Sequence, residues 1–317
     1  MQREQKLLLL KIVSLFSVIR GYNIPIIIIA QYLSAIFIMA PEQRALSILL
    51  DFNIFILVFA SAIAIASGYI INNFYDSQKD LINRPSKSML DRLVSQKTKL
   101  QVYFTLNFIV ALMAWFISWR ALLFFSFYIF LIWFYSHKLK KIVFIGNLSA
   151  ALLAVWPFFA ILLYYYQPTS IEELERHKDH FAVIFAHASF LFLLILIREL
   201  IKDLENLKGD LANNYHTIPV FYGESWSKRI STVLTILTLV PVYILIELYD
   251  VGYMDIYFYS SLIVLLFFLL LLWQSNNKTH YIRLHNILKF LIVAGVFCIV
   301  LINPSVLWHG KNWLLKQ

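Results

Sequence analysis

Asn72, Asp76 and Asp80 recur at i, i+4 and i+8 at the end of a long apolar run. If a helix continues through them they share one face, drifting about 40° and rising about 6 Å per step. Such a ladder is a row of oxygen ligands. Carboxylates at the edge of a membrane helix are costly unless compensated, and a hard divalent cation is the usual compensation. A second ladder closes another apolar run: Glu199, Asp203 and Asp210 form a stripe flanked by Asn206, while Glu205 points elsewhere and Gly209 is a candidate helix end. Carboxylates gathered around one cavity would repel one another strongly if nothing filled it. Mg2+ binds through oxygens and keeps coordination positions for substrate phosphates, which suits this donor set. The plainer reading makes each ladder a solvated helix end whose acids pair with Lys79, Arg84, Lys202 or Lys208.

The elements that position these ladders follow from composition. The 317 residues are 61% hydrophobic, 17% aromatic and only 14% charged, which excludes an ordinary soluble domain and implies an integral membrane protein. Apolar runs able to span, or nearly so, lie at Tyr22–Met39, Phe52–Phe74, Leu100–Trp119, Ala121–Tyr135, Gly146–Tyr166, Phe181–Ile201, Ile230–Leu248, Ile256–Trp273 and His285–Ile302. The expected fold is all-α, a polytopic bundle of about nine transmembrane helices with a central cavity opening to the cytoplasmic side. The boundary between the third and fourth spans rests on Arg120 alone. One domain covers 1–317, with residues 1–20 as an interfacial amphipathic helix held by Lys6, Lys11 and Arg20, and no signal-peptide cleavage site follows it.

Of the 27 Lys and Arg, all but Arg44, Arg120, Arg176, Lys178, Lys311 and Lys316 fall on one side of the membrane in this topology. That side is cytoplasmic, so the N-terminus is inside and the ladders face the cytoplasm, as in a bacterial inner-membrane protein. The net charge of +9 is therefore topological, and its scatter over several loops argues against nucleic acid. Cys298 alone excludes an internal disulfide and a cysteine metal site. A cation-coupled transporter also uses membrane carboxylates, but at mid-span on broken helices; here they cluster at cytoplasmic ends.

The chain resembles the UbiA superfamily of intramembrane prenyltransferases. That family's NxxxDxxxD motif matches Asn72, Asp76 and Asp80, and its second, Asp-rich motif matches Asp203, Asn206 and Asp210. Flanking text agrees: Arg20 and Asn23, Asn83-Arg84-Pro85, Tyr135-Ser136 with Leu139-Lys140, Gly146-Asn147, and Thr217-Ile218-Pro219 with Gly223. Two departures are Asn206 for the middle Asp, which keeps an oxygen donor, and Ser86-Lys87-Ser88-Met89 after Arg84-Pro85. The latter resembles the bacterial geranylgeranylglycerol phosphate geranylgeranyltransferase branch.

The resemblance implies Mg2+-dependent transfer of a prenyl group from a polyprenyl diphosphate to a lipophilic acceptor, geranylgeranylglyceryl phosphate first and 4-hydroxybenzoate or a naphthoate second, among membrane lipids. It implies that Asn72, Asp76, Asp80, Asp203, Asn206 and Asp210 hold metal and that Arg84, Lys87 and Lys202 contact diphosphate. Lys140 joins those contacts, and Tyr135 faces the allylic cation. Against these stand bland roles: lipid-headgroup contacts for the cations and interfacial anchoring for Tyr135. His137, His280 and His285 lack a shared metal spacing, and Pro25, Pro157 and Pro241 read as kinks. Asn23 and Gln31, eight apart, face the bundle interior.

Overall fold

The computed structural model describes residues 2–21, 23–165 and 171–308, and all regular structure among them is helical. Helix α1, Gln2–Val18, exposes Leu9, Ile12 and Phe16 on one side and hydrogen-bonds through Ser14 and Ser17 on the other. Then follow α2 (Ile24–Ser34), α3 (Phe52–Asn83), α4 (Pro85–Asp91), α5 (Gln96–Ile117), α6 (Trp119–His137), α7 (Ile145–Val155), α8 (Ile171–Ala212), α9 (Ile218–Tyr222), α10 (Glu224–Leu237), α11 (Asp255–Gln274) and α12 (Lys278–Cys298).

Among the described residues eight helical segments are long and apolar enough to cross a membrane. The ninth expected span, the first, is the shorter apolar stretch Ile24–Met39, which includes a π turn from Ala35 to Met39. Side-chain caps fix where helices begin. Asp51 accepts from the amides of Asn53 and Ile54 at the start of α3, and Ser95 from Thr98 at α5. Ser118, in extended conformation, accepts from the Ala121 amide and starts α6. The break between the third and fourth spans therefore sits at Ser118, and Arg120 lies inside the first turn of the next helix. Pro157 sits in a 3-10 segment, Trp156–Ile161, that interrupts the fifth span before α-helix resumes at Leu162–Tyr165, and Pro241 precedes a π turn, Ile244–Leu248.

Two helices form the centre. The apolar window of α3 is 72% buried and that of α8 61%, against 33% or less for the other six spans. Both acid ladders thus ride on the two helices with the least contact with lipid. Small residues on α3, among them Ala60, Ala64 and Gly68, let neighbours approach closely. Gln31 of α2 ties the membrane interior together, donating to Ser61 Oγ at 3.0 Å and to the Pro157 carbonyl at 2.6 Å. Asn23 donates to the Tyr69 hydroxyl at 3.3 Å.

At the polar end of α3, its last residue, Asn83, is the clip. Its Oδ1 accepts from the Gly209 amide at 3.1 Å, and its carbonyl accepts from Lys278 Nζ at 3.0 Å. Gly209 does not end α8, contrary to the expectation from sequence: the helix runs on to Ala212. The glycine is there because a Cβ would collide with the Asn83 amide. Gly209→Ala should lower the thermal unfolding midpoint in detergent, because the intrinsic helix preference for alanine, about 1 kcal/mol, is outweighed by an overpacking cost of about 1–3 kcal/mol. A raised midpoint would show that the clip carries no stability.

Candidate active site

The ladders meet across one cavity of about 60 Å³ between α3, α8 and the loops after α6 and α8. From α3 it is lined by Asn72, Asp76, Lys79 and Asp80, and from α8 by Glu199, Lys202, Asp203 and Asn206. Helical spacing accounts for both rows, as i, i+4 and i, i+3 positions stack on one face. Arg20, Arg84, Tyr135, Lys140, Asn147 and Tyr215 also line the cavity. A smaller recess of about 10 Å³ adjoins it, sharing Arg20, Asn72, Asp80 and Arg84 and adding Lys87.

Charge pairing is dense. Lys140 Nζ lies 2.7 Å from Asp76 Oδ1 and 3.3 Å from Asn72 Oδ1. The Tyr215 hydroxyl donates to the same Asp76 Oδ1 at 2.6 Å. Burial, and then the Asp76 carboxylate, push the Tyr215 hydroxyl well above the usual phenol range, so it keeps its proton and acts as a donor. On α8, Asn147 Nδ2 donates to Asp203 Oδ2 at 2.7 Å, and Lys202 and Arg198 hold Glu199 at 2.6 and 3.1 Å. Glu205 points away from the cavity, as its register requires, and pairs with Arg84 at 3.4 Å, with His285 Nδ1 3.7 Å away and outside hydrogen-bond distance.

The structure does not gather all the expected residues equally. Asn72, Asp76, Asp80, Asp203 and Asn206 border the cavity, together with Arg84, Lys202, Lys140 and Tyr135. Lys87 borders only the recess. Asp210 is fully buried behind the wall, with Lys79 Nζ 2.6 Å from its Oδ1 as an ion pair and no aligned hydrogen bond to either carboxylate oxygen. Among the described residues no three Asp, Glu, His or Cys side chains close around a single point. The donor chemistry nonetheless fits a hard cation: the cavity ligands are all oxygens, and the buried Asn206 Oδ1 has no hydrogen-bond partner.

Tyr215 and Asn147 are the residues that motif spacing under-reads. Asn147 was visible only as text following Gly146, yet it is the hydrogen-bond donor to Asp203. Tyr215 is placed by the end of α8, where Asn214 takes a left-handed conformation (φ 54°) and the Tyr215 amide returns to the Asp210 carbonyl at 3.0 Å. This six-to-one capping bond folds the chain back over the last turn. The Asn213-Asn214 pair is the signal, since asparagine tolerates the left-handed region better than most residues.

Comparison with known proteins agrees with this architecture. The model of the UbiA prenyltransferase family matches residues 28–291. A protein of Methanobrevibacter smithii named digeranylgeranylglyceryl phosphate synthase is 26% identical over 244 residues, which are 75% of this chain and 80% of that one. A solved structure of a digeranylgeranylglyceryl phosphate synthase superposes with a TM-score of 0.68 at 19% identity, covering 94% of this chain and 99% of that one. A UbiA homolog from Archaeoglobus fulgidus bound to GPP and Mg2+ gives a TM-score of 0.64 at 14% identity, covering 90% and 99%. With a family match over most of its length and the same fold, the chain belongs to the UbiA prenyltransferase family.

Proposed function

We propose that this prenyltransferase moves a prenyl group from a polyprenyl diphosphate to the lipid acceptor geranylgeranylglyceryl phosphate, using Mg2+. The observation that carries this reading is the convergence of two acid ladders, from α3 and α8, on one cavity that also holds Lys140, Lys202, Arg20 and Arg84. Acids alone would suit a cation and bases alone an anion; the mixture suits a divalent cation carrying a diphosphate. The acceptor is named by analogy with the Methanobrevibacter relative, and the cation and donor class by the Archaeoglobus neighbour bound to GPP and Mg2+.

Asn72, Asp76 and Asp80 would hold one Mg2+, and Asp203 with Asn206 another, joined by Asp210 once Lys79 releases it. Bound there, Mg2+ neutralises diphosphate charge and makes it a better leaving group. The protein's own groups do the rest. Lys140, Lys202 and Arg84 contact diphosphate oxygens from the cavity wall, and Lys87 does so from the recess. The allylic carbon–oxygen bond breaks, the electron pair leaves with the diphosphate, and the acceptor hydroxyl bonds to the allylic carbon as its proton passes to an oxygen of the departing diphosphate. Tyr135 offers its ring to the positive charge on that carbon. The surrounding apolar helices exclude water that would otherwise capture it.

The same reading makes residues 1–317 one domain in a bacterial inner membrane, with the cavity and the N-terminus on the basic, cytoplasmic side. The exposed row Leu9, Ile12 and Phe16 then lies in the lipid interface with α1 along the membrane plane.

Membranes containing the protein, given Mg2+, radiolabelled geranylgeranyl diphosphate and geranylgeranylglyceryl phosphate, should yield the doubly prenylated product. Transfer to 4-hydroxybenzoate instead would move the acceptor to the quinone class, and transfer to neither would overturn the proposal. Asp76→Ala and Asp203→Ala should each abolish turnover, Asp76→Ala with a lowered unfolding midpoint because it leaves the Lys140 ammonium unpaired; full activity in either would remove the metal assignment.

Lys140→Met separates charge balance from chemistry. It should inactivate the enzyme and, by leaving Asp76 without its buried ammonium, lower stability by about 3–5 kcal/mol in Mg2+-free unfolding. Adding Asp76→Asn should restore the stability and not the activity. An unchanged midpoint in the single variant would show that the pair is not a buried counter-charge.

A further inference from the structure

We propose that Tyr215 is a positioning residue for cation binding: it holds Asp76 Oδ1 by a neutral hydrogen bond so that Oδ2 is kept for the metal. The inference rests on the prenyl-transfer reading of the cavity and assigns a role in it to a residue outside both acid motifs.

Two donors converge on a single oxygen of Asp76, Lys140 Nζ at 2.7 Å and the Tyr215 hydroxyl at 2.6 Å, and Oδ2 takes neither bond. The two differ in what they do to the carboxylate. Lys140 brings a full positive charge, which offsets the acid and competes with any cation for it. The phenol brings none, so it orients the carboxylate and leaves its negative charge available. They differ also in how firmly they are held. Lysine reaches Asp76 on a flexible four-carbon stem and can turn to a phosphate. Tyr215 is 4% exposed and locked by the capping bond to the Asp210 carbonyl, and the next residue, His216, donates its amide to the Lys141 carbonyl at 3.1 Å.

The ring extends the argument to the other ladder. Lys79 Nζ stands 4.1 Å from the Tyr215 ring centroid while paired with Asp210 at 2.6 Å. A cation over an aromatic face is attracted to it. Tyr215 thereby touches Asp76 of α3 through its hydroxyl and braces the ion pair of Asp210 on α8 through its ring. It is a fixed, uncharged post between two charged rows.

The test uses full-length protein in detergent, with Mg2+ titrated as the probe and thermal unfolding as the readout, so that binding is seen without turnover. Tyr215→Phe keeps the ring and removes the hydroxyl. It should need about tenfold more Mg2+ for half of the maximal thermal protection, the loss expected for one hydrogen bond to a charged group. Turnover should fall at low Mg2+ and recover at saturating Mg2+, with KM for Mg2+ moving and kcat largely retained. Tyr215→Leu, which removes the ring as well, should also lower the midpoint without Mg2+. A residue that only packs would shift that metal-free midpoint and leave the Mg2+ half-point alone; this result in Tyr215→Phe would overturn the proposal. Absence of any Mg2+ response in the natural protein would overturn it too, along with the metal assignment. A shifted half-point in a protein that transfers no prenyl group would leave Tyr215 its role and remove the prenyl-transfer reading.

Discussion

Negative charge brought into the middle of a membrane bundle must be matched, and that requirement organises this molecule. Burying an unpaired carboxylate costs far more than one helix contact returns. The ladders are therefore placed on the two most enclosed helices and matched by ammonium groups in the same space: Lys140 against Asp76, Lys79 against Asp210, Lys202 against Glu199. Breaking either of the first two pairs leaves a charge in a place water does not readily reach. The pairing also decides the loops. The segment after α6 must bring Lys140 back to α3, and seven residues later it must present Asn147 to α8.

Close approach of the central helices is the second constraint, and it follows from the first, because residues on separate helices can share a cavity only if the backbones come near. Small side chains on α3 permit this in the apolar region. At the polar end the same job falls to Gly209, whose missing side chain makes room for Asn83. The position that looks like a helix terminator by composition is thus a packing site, and termination passes to Asn214, which accepts the left-handed backbone.

What could be read from sequence, and what could not, divides along these lines. Span positions were legible because a bilayer demands long apolar runs, although the first is short, the break near Arg120 falls at Ser118, and the helices of the seventh and last spans begin earlier, at Glu224 and Lys278. Arg120 drew attention by its charge, whereas the break is made by Ser118, whose hydroxyl caps the next helix. The ladder residues were legible because helical periodicity puts them on one face, and the same arithmetic sent Glu205 to Arg84 and His285. Asp210 was harder. Periodicity fixes its face but not the depth at which Lys79 covers it. Tyr215 was invisible to periodicity altogether, because a capping turn and not a helix delivers it to Asp76.

The balance of charge bears on how such a site would be loaded. With Lys140 paired to Asp76 and Lys79 to Asp210, the charge of those two acids is balanced before any substrate arrives. A diphosphate arriving with divalent cations is itself close to neutral, and an exchange of one balanced set for another requires no net burial of charge. In the proposed reaction the lysines released from carboxylates become the groups that bind the incoming phosphates. The acids must then keep their places without the cations that held them, and only uncharged donors can do that while a metal is bound. Asn147 on Asp203 and Tyr215 on Asp76 are such donors, one for each ladder.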